Sequence, residues 1–352
     1  MDTKINAPTT LPFAWYSDPA FLGREQERIF RRRWQYVGHT GQVSQPGCLA
    51  VARAGDLPVL LARDAAGVLH AHLNVCRHRG TQLVAEDTRR STIQCPYHAW
   101  TYDLDGRLRS ASRSEGEADF DLEALGLISL PVACWGPFIF VNPDPDAAPL
   151  QETLGELPAL VASAGVDVDA LVFRERAVSS HAANWKICCE NFLECYHCPV
   201  AHPGLTKLID VSPEAYRLQE DRWYSSQFGP VKEDWTGDLD PTGSVGHGQF
   251  HFLYPNLTIN IVPGSPNVSI GSVLPDGPER TTRLLDYFFS PDAAESWIQD
   301  LLAWDARVGQ EDTRLVEAVQ CGVRAGMPDR GILFRDERLI AHFDRLLTDD
   351  LG

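Results

Sequence analysis

Residues 76–80 read Cys-Arg-His-Arg-Gly, and residues 95–100 read Cys-Pro-Tyr-His-Ala-Trp. Each short loop offers one thiolate and one imidazole. In a [2Fe–2S] centre of mixed ligation, two thiolates hold one iron and two imidazoles the other. Cys76, His78, Cys95 and His98 would then supply one ligand to each iron from each loop. Gly80 and Pro96 suit tight loop backbones that can turn amides toward the cluster sulfurs. A Cys2His2 set also suits structural zinc, but zinc motifs usually pair like ligands, whereas each half here mixes them. A third reading is four unrelated residues in turns, and two intact half-motifs weigh against it.

Outward from these loops the texture is β-rich. From Trp34 to about Asp146 short apolar runs recur: Trp34–Val37, Cys48–Ala52, Leu57–Leu61 and Phe138–Val141. Glycine, proline and aspartate punctuate them, the pattern of a small antiparallel β domain. The Pro- and Asp-rich stretch 142–149 marks its exit. Residues 14–33 carry charges and aromatics at helical spacing and are expected to form a leading helix. The expected organisation is therefore a helical segment (1–35), a β domain (36–150) and a second domain (151–352) of mixed strands and helices. In that second domain residues 250–254, 257–262 and 282–289 are strand-like. Ser290-Pro291 carries a helix-start signal.

Residues 184–203 hold the second constellation, with Glu190, Glu194 and His197 at helical spacing on one face. Pro199 disfavours helix at Cys198, so the helix is expected to end there. His202 follows the break and can turn back toward His197. Two neutral imidazoles suit an iron(II) site, which needs one carboxylate on the same side and open positions for oxygen. In 309–320, Asp312, Leu315, Val316 and Val319 share a helical face. An acid on an apolar face is costly unless paired or metal-bound. From the pattern alone, a ligand and an exposed first-turn aspartate favoured by the helix dipole remain equally open. Asp305, a heptad earlier, is the fallback.

The two Cys/His loops, the later segment 135–140 (Trp-Gly-Pro-Phe-Ile-Phe) and the acid-x-x-His-x4-His run at 194–202 together resemble the Rieske non-haem iron oxygenases over most of the chain. The resemblance implies an α+β architecture. An N-terminal all-β Rieske [2Fe–2S] domain is followed by a helix-grip (START-like) catalytic domain, an antiparallel sheet curled around a long helix. It implies that 135–140 covers the cluster and that His197, His202 and Asp312 hold a mononuclear Fe(2+). It also implies that Glu194 carries electrons to that site from a cluster histidine, His78 or His98, of a neighbouring subunit in a trimer. The activity implied is O2-dependent hydroxylation of a small organic substrate, or N-demethylation where the carbon attacked is an N-methyl. Glu-Cys-Tyr-His-Cys-Pro at 194–199 is similar to the subgroup acting on choline, carnitine and betaines. The alternatives are an aromatic ring-hydroxylating dioxygenase and an electron-transfer Rieske protein without oxygenase activity.

Composition bounds the remaining classes. The chain has 352 residues, a net charge of −17 and 44% apolar residues. That acidity argues against nucleic acid and an anionic membrane surface. No run of ~18 apolar residues suggests a transmembrane helix, and the expected location is the cytoplasm. There are nine cysteines. Their clustering points to metal or free thiols, with Cys188, Cys189, Cys195 and Cys198 expected to pack as small hydrophobes. Trp223, Trp235, Phe250, Phe252 and Tyr254 are candidates for the cavity wall; His181, His247 and His251 are expected to be satisfied core histidines. No Gly-x-Gly-x-x-Gly loop or plant-type Cys-x4-Cys-x2-Cys run is present. Electrons are therefore expected from a separate NAD(P)H-dependent reductase, with or without a ferredoxin.

Overall fold

The computed structural model describes residues 8–114, 117 and 120–352. It divides into two compact units: Phe30–Leu150, and a second built from 8–29 with Gln151–Gly352. The first unit is all β. Its strands are β1 (Gln35–His39), β2 (Cys48–Ala54), β3 (Leu57–Arg63), β4 (Leu69–Leu73), β5 (Thr88–Arg89), β6 (Ile93–Gln94), β7 (Thr101–Tyr102), β8 (Leu108–Ser110), β9 (Val132–Trp135) and β10 (Phe138–Val141). They form three small antiparallel sheets, ordered β4-β3-β2-β5, β1-β10-β9 and β6-β7-β8. Leu49, Leu60, Ile93, Trp100 and Tyr102 pack with Cys76 and Cys95 in one core cluster. The β9–β10 hairpin sends Ile139 and Val141 into a second cluster with Val37, Val43 and Val59.

The second unit is built on a seven-stranded antiparallel sheet. Its strands are β11 (Val172–His181), β12 (Arg217–Glu220), β13 (Tyr224–Pro230), β14 (His247–Leu253), β15 (Leu257–Ile261), β16 (Asn267–Gly277) and β17 (Arg280–Phe289), in the order β11-β17-β16-β15-β14-β13-β12. Its helices are α1 (Pro19–Glu25), α2 (Leu150–Leu154), α3 (Leu157–Ser163), α4 (Trp185–Phe192), α5 (Cys198–Ala201), α6 (Pro203–Leu208), α7 (Glu295–Val323) and α8 (Arg338–Leu351). α7 is the long helix of the grip. Its Trp297, Ile298, Leu301 and Trp304 pack with Leu285, Tyr287 and Phe289 of β17. Among the described residues no helix is long and apolar enough to cross a membrane.

Several local expectations are corrected. The leading helix is broken into a 3-10 turn at Phe13–Tyr16, then α1, then a π turn at Gln26–Phe30. α7 begins at Glu295 rather than at Ser290-Pro291, which lie in the turn after β17. Four strands of the large sheet had no sequence signal. Most of β11 is exposed, so its alternation marks no buried face. β13 and β16 bury serines, a glutamine, an asparagine and glycines instead of an apolar run. Gly271 on β16 is required by close approach, since a Cβ there would fall 1.7 Å from Leu284 O on β17.

Candidate active site

The two Cys/His loops share one backbone design. Cys76 N–H donates to Thr81 O (2.8 Å) and Gly80 N–H to Cys76 O (3.0 Å); Cys95 N–H donates to Trp100 O (2.8 Å) and Ala99 N–H to Cys95 O (3.1 Å). Each turn closes on a residue in the left-handed region, Gly80 (φ 72°) and Ala99 (φ 58°). Glycine takes that conformation freely and alanine at a cost, so the second loop carries strain that its surroundings hold in place.

The closed turns bring the four side chains together. The His78 and His98 rings lie 4.7 Å apart between centroids, and His78 stacks on Trp100. The Tyr102 hydroxyl is 3.3 Å from Cys76 Sγ and accepts from Arg77 N–H (3.1 Å). Burial works to raise the Cys95 thiol, but the backbone N–H groups of Tyr97 and His98 outweigh it and hold the thiol below its ordinary value. Such amides favour thiolate. His98 Nδ1 is buried without a hydrogen-bond partner, an orphan that a metal ion would satisfy. The donor set therefore fits a cluster with two sulfur and two nitrogen ligands.

The second site forms where α4 stops short. Asn184 caps α4, accepting from Lys186 N–H, and the helix ends at Phe192, six residues before the expected break at Cys198. The Glu194 carboxylate accepts from the backbone N–H groups of Tyr196 and His197, and this side-chain bonding competes with helix continuation. Pro199 then lies in the first turn of the new helix α5 rather than ending α4. Glu190, expected on the same face as Glu194 and His197, turns away and accepts from Tyr16 O–H at 2.7 Å. Cys195 and Cys198, expected as packing thiols, form a disulfide across this turn. Cys189 is buried, and burial pushes the Cys188 thiol up to about 12.

His197 Nε2 and His202 Nε2 lie 3.0 Å apart, and Asp312 Oδ1 lies 3.0 Å from the latter and 3.6 Å from the former. Ligand atoms of these three residues all fall within 4.8 Å of one another. The opposite ring nitrogens are held by carboxylates, His197 Nδ1 by Glu194 and His202 Nδ1 by Glu311 at 2.8 Å. A carboxylate on Nδ1–H leaves the Nε2 lone pair facing the shared centre, the tautomer a metal needs. Two such imidazoles and one carboxylate on one side suit iron(II) with open positions. Burial disfavours the imidazolium of His197, yet Asp312 and Glu194 outweigh it and raise His197 to about 9. Burial likewise works to raise Asp312, but His197, His202 and Asn191 hold it well below the ordinary carboxylate range.

Asp312 sits on the buried face of α7 with Val316, Gln320 and Val323, a face rotated from the expected one, because Val319 is 48% exposed. Asp305 is committed elsewhere and accepts from Tyr287 O–H. Sequence reasoning missed Glu311 and Arg283. Glu311 directly precedes Asp312, and its use as a histidine partner appears only once His202 is in place. The cavity over the triad is walled by Phe192, Tyr216, Phe250 and Trp304, with Asn260 and Arg283 among its polar lining. Of the five aromatics expected in its wall, only Phe250 lines it. Phe252 and Tyr254 pack on Phe343 of α8, Trp223 stacks on Tyr254, and Trp235 joins the core beneath α7. His181 lines the cavity, bonded to Ser179 and Thr313; His251 is satisfied by Ser226 and Gln249, and His247 by Gln249.

Two family models match the chain: "Rieske [2Fe-2S] domain" over residues 33–124 and "Ring hydroxylating alpha subunit (catalytic domain)" over residues 168–352. The chain is 33% identical to the chloroplastic choline monooxygenase of Arabidopsis thaliana, covering 99% of this chain and 85% of that protein. It is 31% identical to the carnitine monooxygenase oxygenase subunit of Escherichia coli K12, covering 96% and 93%. Among solved structures it resembles the quaternary ammonium Rieske monooxygenase CntA, described for carnitine oxidation and inter-subunit electron transfer. The TM-score is 0.88 at 28% identity, covering 99% of this chain and 96% of that one. Other structures of CntA hold gamma-butyrobetaine or L-carnitine.

Proposed function

Because the chain belongs to the Rieske non-haem iron oxygenases, we propose that it hydroxylates a quaternary ammonium compound at a carbon next to, or one removed from, its nitrogen. It is an oxygenase carrying a Rieske [2Fe–2S] cluster and a mononuclear iron. We assign the cluster to Cys76, His78, Cys95 and His98, and the iron to His197, His202 and Asp312. The cluster supplies single electrons, and the iron supplies O2 activation at its open positions.

The observation that carries this proposal is the convergence of His197 Nε2, His202 Nε2 and Asp312 Oδ1 on one centre beneath an aromatic-walled cavity. Phe192, Tyr216, Phe250 and Trp304 line that cavity, and aromatic rings attract a cation through their faces. Glu194 and Glu311 orient the two imidazoles through their Nδ1–H groups. Names of relatives at 33% and 31% identity support the substrate class.

Glu194 also fits a bridging role. Its oxygens already accept from His197 and two backbone amides, yet a carboxylate has about four acceptor sites. One more donor, a cluster imidazole N–H of a neighbouring subunit, can be taken. Heterologous contacts of that kind close into a ring when the rotation permits, and a homotrimer served by a separate NAD(P)H-dependent reductase is the arrangement we propose.

Holoprotein supplied with a surrogate reductase and O2 should oxidise at least one of choline, carnitine, gamma-butyrobetaine or glycine betaine. Turnover of naphthalene with none of these would replace the substrate class by the aromatic one. Mixing Cys76→Ser with His202→Ala subunits should restore activity that neither parent has. No recovery in demonstrably mixed oligomers would put the electron path within one chain and remove the bridge from Glu194.

A further inference from the structure

We infer that Arg283 anchors a carboxylate of the substrate, so that the cavity prefers zwitterionic quaternary ammonium compounds to choline-like cations. The inference rests on the substrate class proposed above and narrows it.

Arg283 lies on β17 at the same alternation as Leu285, Tyr287 and Phe289. Those three pack beneath α7 with Trp297, Leu301 and Trp304, so Arg283 is a cation on an otherwise core-facing row. It lines the cavity together with the iron triad, Asn260 and Asp305. Its Nε is buried with no hydrogen-bond partner. Among the described residues its guanidinium makes no ion pair, in contrast to Arg176 on the neighbouring strand, which grips Asp286 through two bonds of 2.6 and 2.7 Å. The nearby acid does not fill the gap. Asp305 accepts from Tyr287 O–H, and burial pushes its carboxyl above the ordinary range despite Arg283.

An unpaired cation facing a cavity is expensive for folding, and such groups mark ligand sites. The guanidinium is a planar fork that matches a carboxylate through two parallel N–H···O bonds, which an ammonium cannot reproduce. A zwitterion would place its carboxylate on Arg283 and its quaternary nitrogen among the aromatic walls. Choline offers Arg283 only a neutral hydroxyl and leaves its charge unpaired, a mismatch that discriminates against it.

The test is calorimetric binding to anaerobic holoprotein with gamma-butyrobetaine and choline as probes, alongside iron and sulfide content. Wild type should bind gamma-butyrobetaine the tighter. Arg283→Met should weaken gamma-butyrobetaine about 10- to 100-fold, the range of a lost charge-assisted hydrogen bond, leave choline unchanged and keep both metals. Arg283→Lys should fall between them, and it serves alone if the methionine variant does not fold. Equal loss for both probes, or none for either, would overturn the anchor. If no quaternary ammonium compound binds but benzoate binds in an Arg283-dependent way, the anchor stands and the proposed substrate class falls.

Discussion

Glu311 Oε2 lies 2.8 Å from His202 Nδ1, the ring nitrogen opposite the one that meets His197 and Asp312. Neighbouring residues on α7 thus serve one histidine from both sides, Asp312 at Nε2 and Glu311 at Nδ1. Losing an outer partner of this kind typically costs about 10- to 100-fold in metal affinity. Glu311→Ala should lose mononuclear iron to a chelator at correspondingly lower concentration, with labile sulfide unchanged. Glu311→Gln keeps an acceptor and should lose less. Iron retention equal to wild type in the alanine variant would make Glu311 a bystander.

His202→Ala and Asp312→Ala should each empty the mononuclear site and abolish turnover while the protein stays red-brown. Asp305→Asn should retain its iron, because that carboxylate is bonded to Tyr287. Metal analysis of the three variants decides the assignment: iron kept in Asp312→Ala and lost in Asp305→Asn would exchange the two roles.

Behind α4, Lys186 and Glu25 form an ion pair with both side chains 0% exposed, and Trp185 Nε1–H donates to the same carboxylate at 2.7 Å. Removing one member of a buried pair strands the other charge, at a cost of about 3–5 kcal/mol. Lys186→Met should show that loss in denaturant unfolding. The double variant Lys186→Met/Glu25→Gln should recover part of it. A loss below about 1 kcal/mol in the single variant, the size of an exposed pair, would show that Glu25 finds another partner.

Burial pushes the Asp344 carboxyl up to about 7, against the pull of the Leu11 amide and Lys186. Between the ordinary carboxyl range near ~4 and about 7, the folded chain keeps a proton that the unfolded chain has released. Stability therefore falls as pH rises through that window. Thermal unfolding should show wild type losing more stability from about pH 5 to about pH 8 than Asp344→Asn does. Glu190, also raised chiefly by burial, keeps a residual slope in the variant. Identical slopes would mean that Asp344 is already ionised at the lower pH.

The local chemistry was written in the chain. Cys76-x-His78 and Cys95-x-x-His98 are short-range patterns, because a turn of five residues places both ligands whatever lies beyond it. His197 and His202 are similarly close, and the apolar runs of β1, β2, β3 and β10 declare themselves by composition. Tertiary structure alone decided the rest. Asp312 is 110 residues from the histidine it meets, and a helical period cannot say which face turns inward; Val319, on the face expected to be apolar and shared with Asp312, is exposed. α4 ended early because Glu194 found two backbone amides, a competition of hydrogen bonds invisible in propensity. β13 and β16 carry serines, glutamine, asparagine and glycines, and partners such as His342 for Ser225, Phe192 O for Gln227 and His251 for Ser226 come from other elements, so no run of residues announces them. Arg283 reads in sequence as an ordinary strand cation. Only the packing of β17 beneath α7 leaves its guanidinium lining a cavity with no ion pair among the described residues, because burial and pairing depend on chain segments that sequence distance keeps apart.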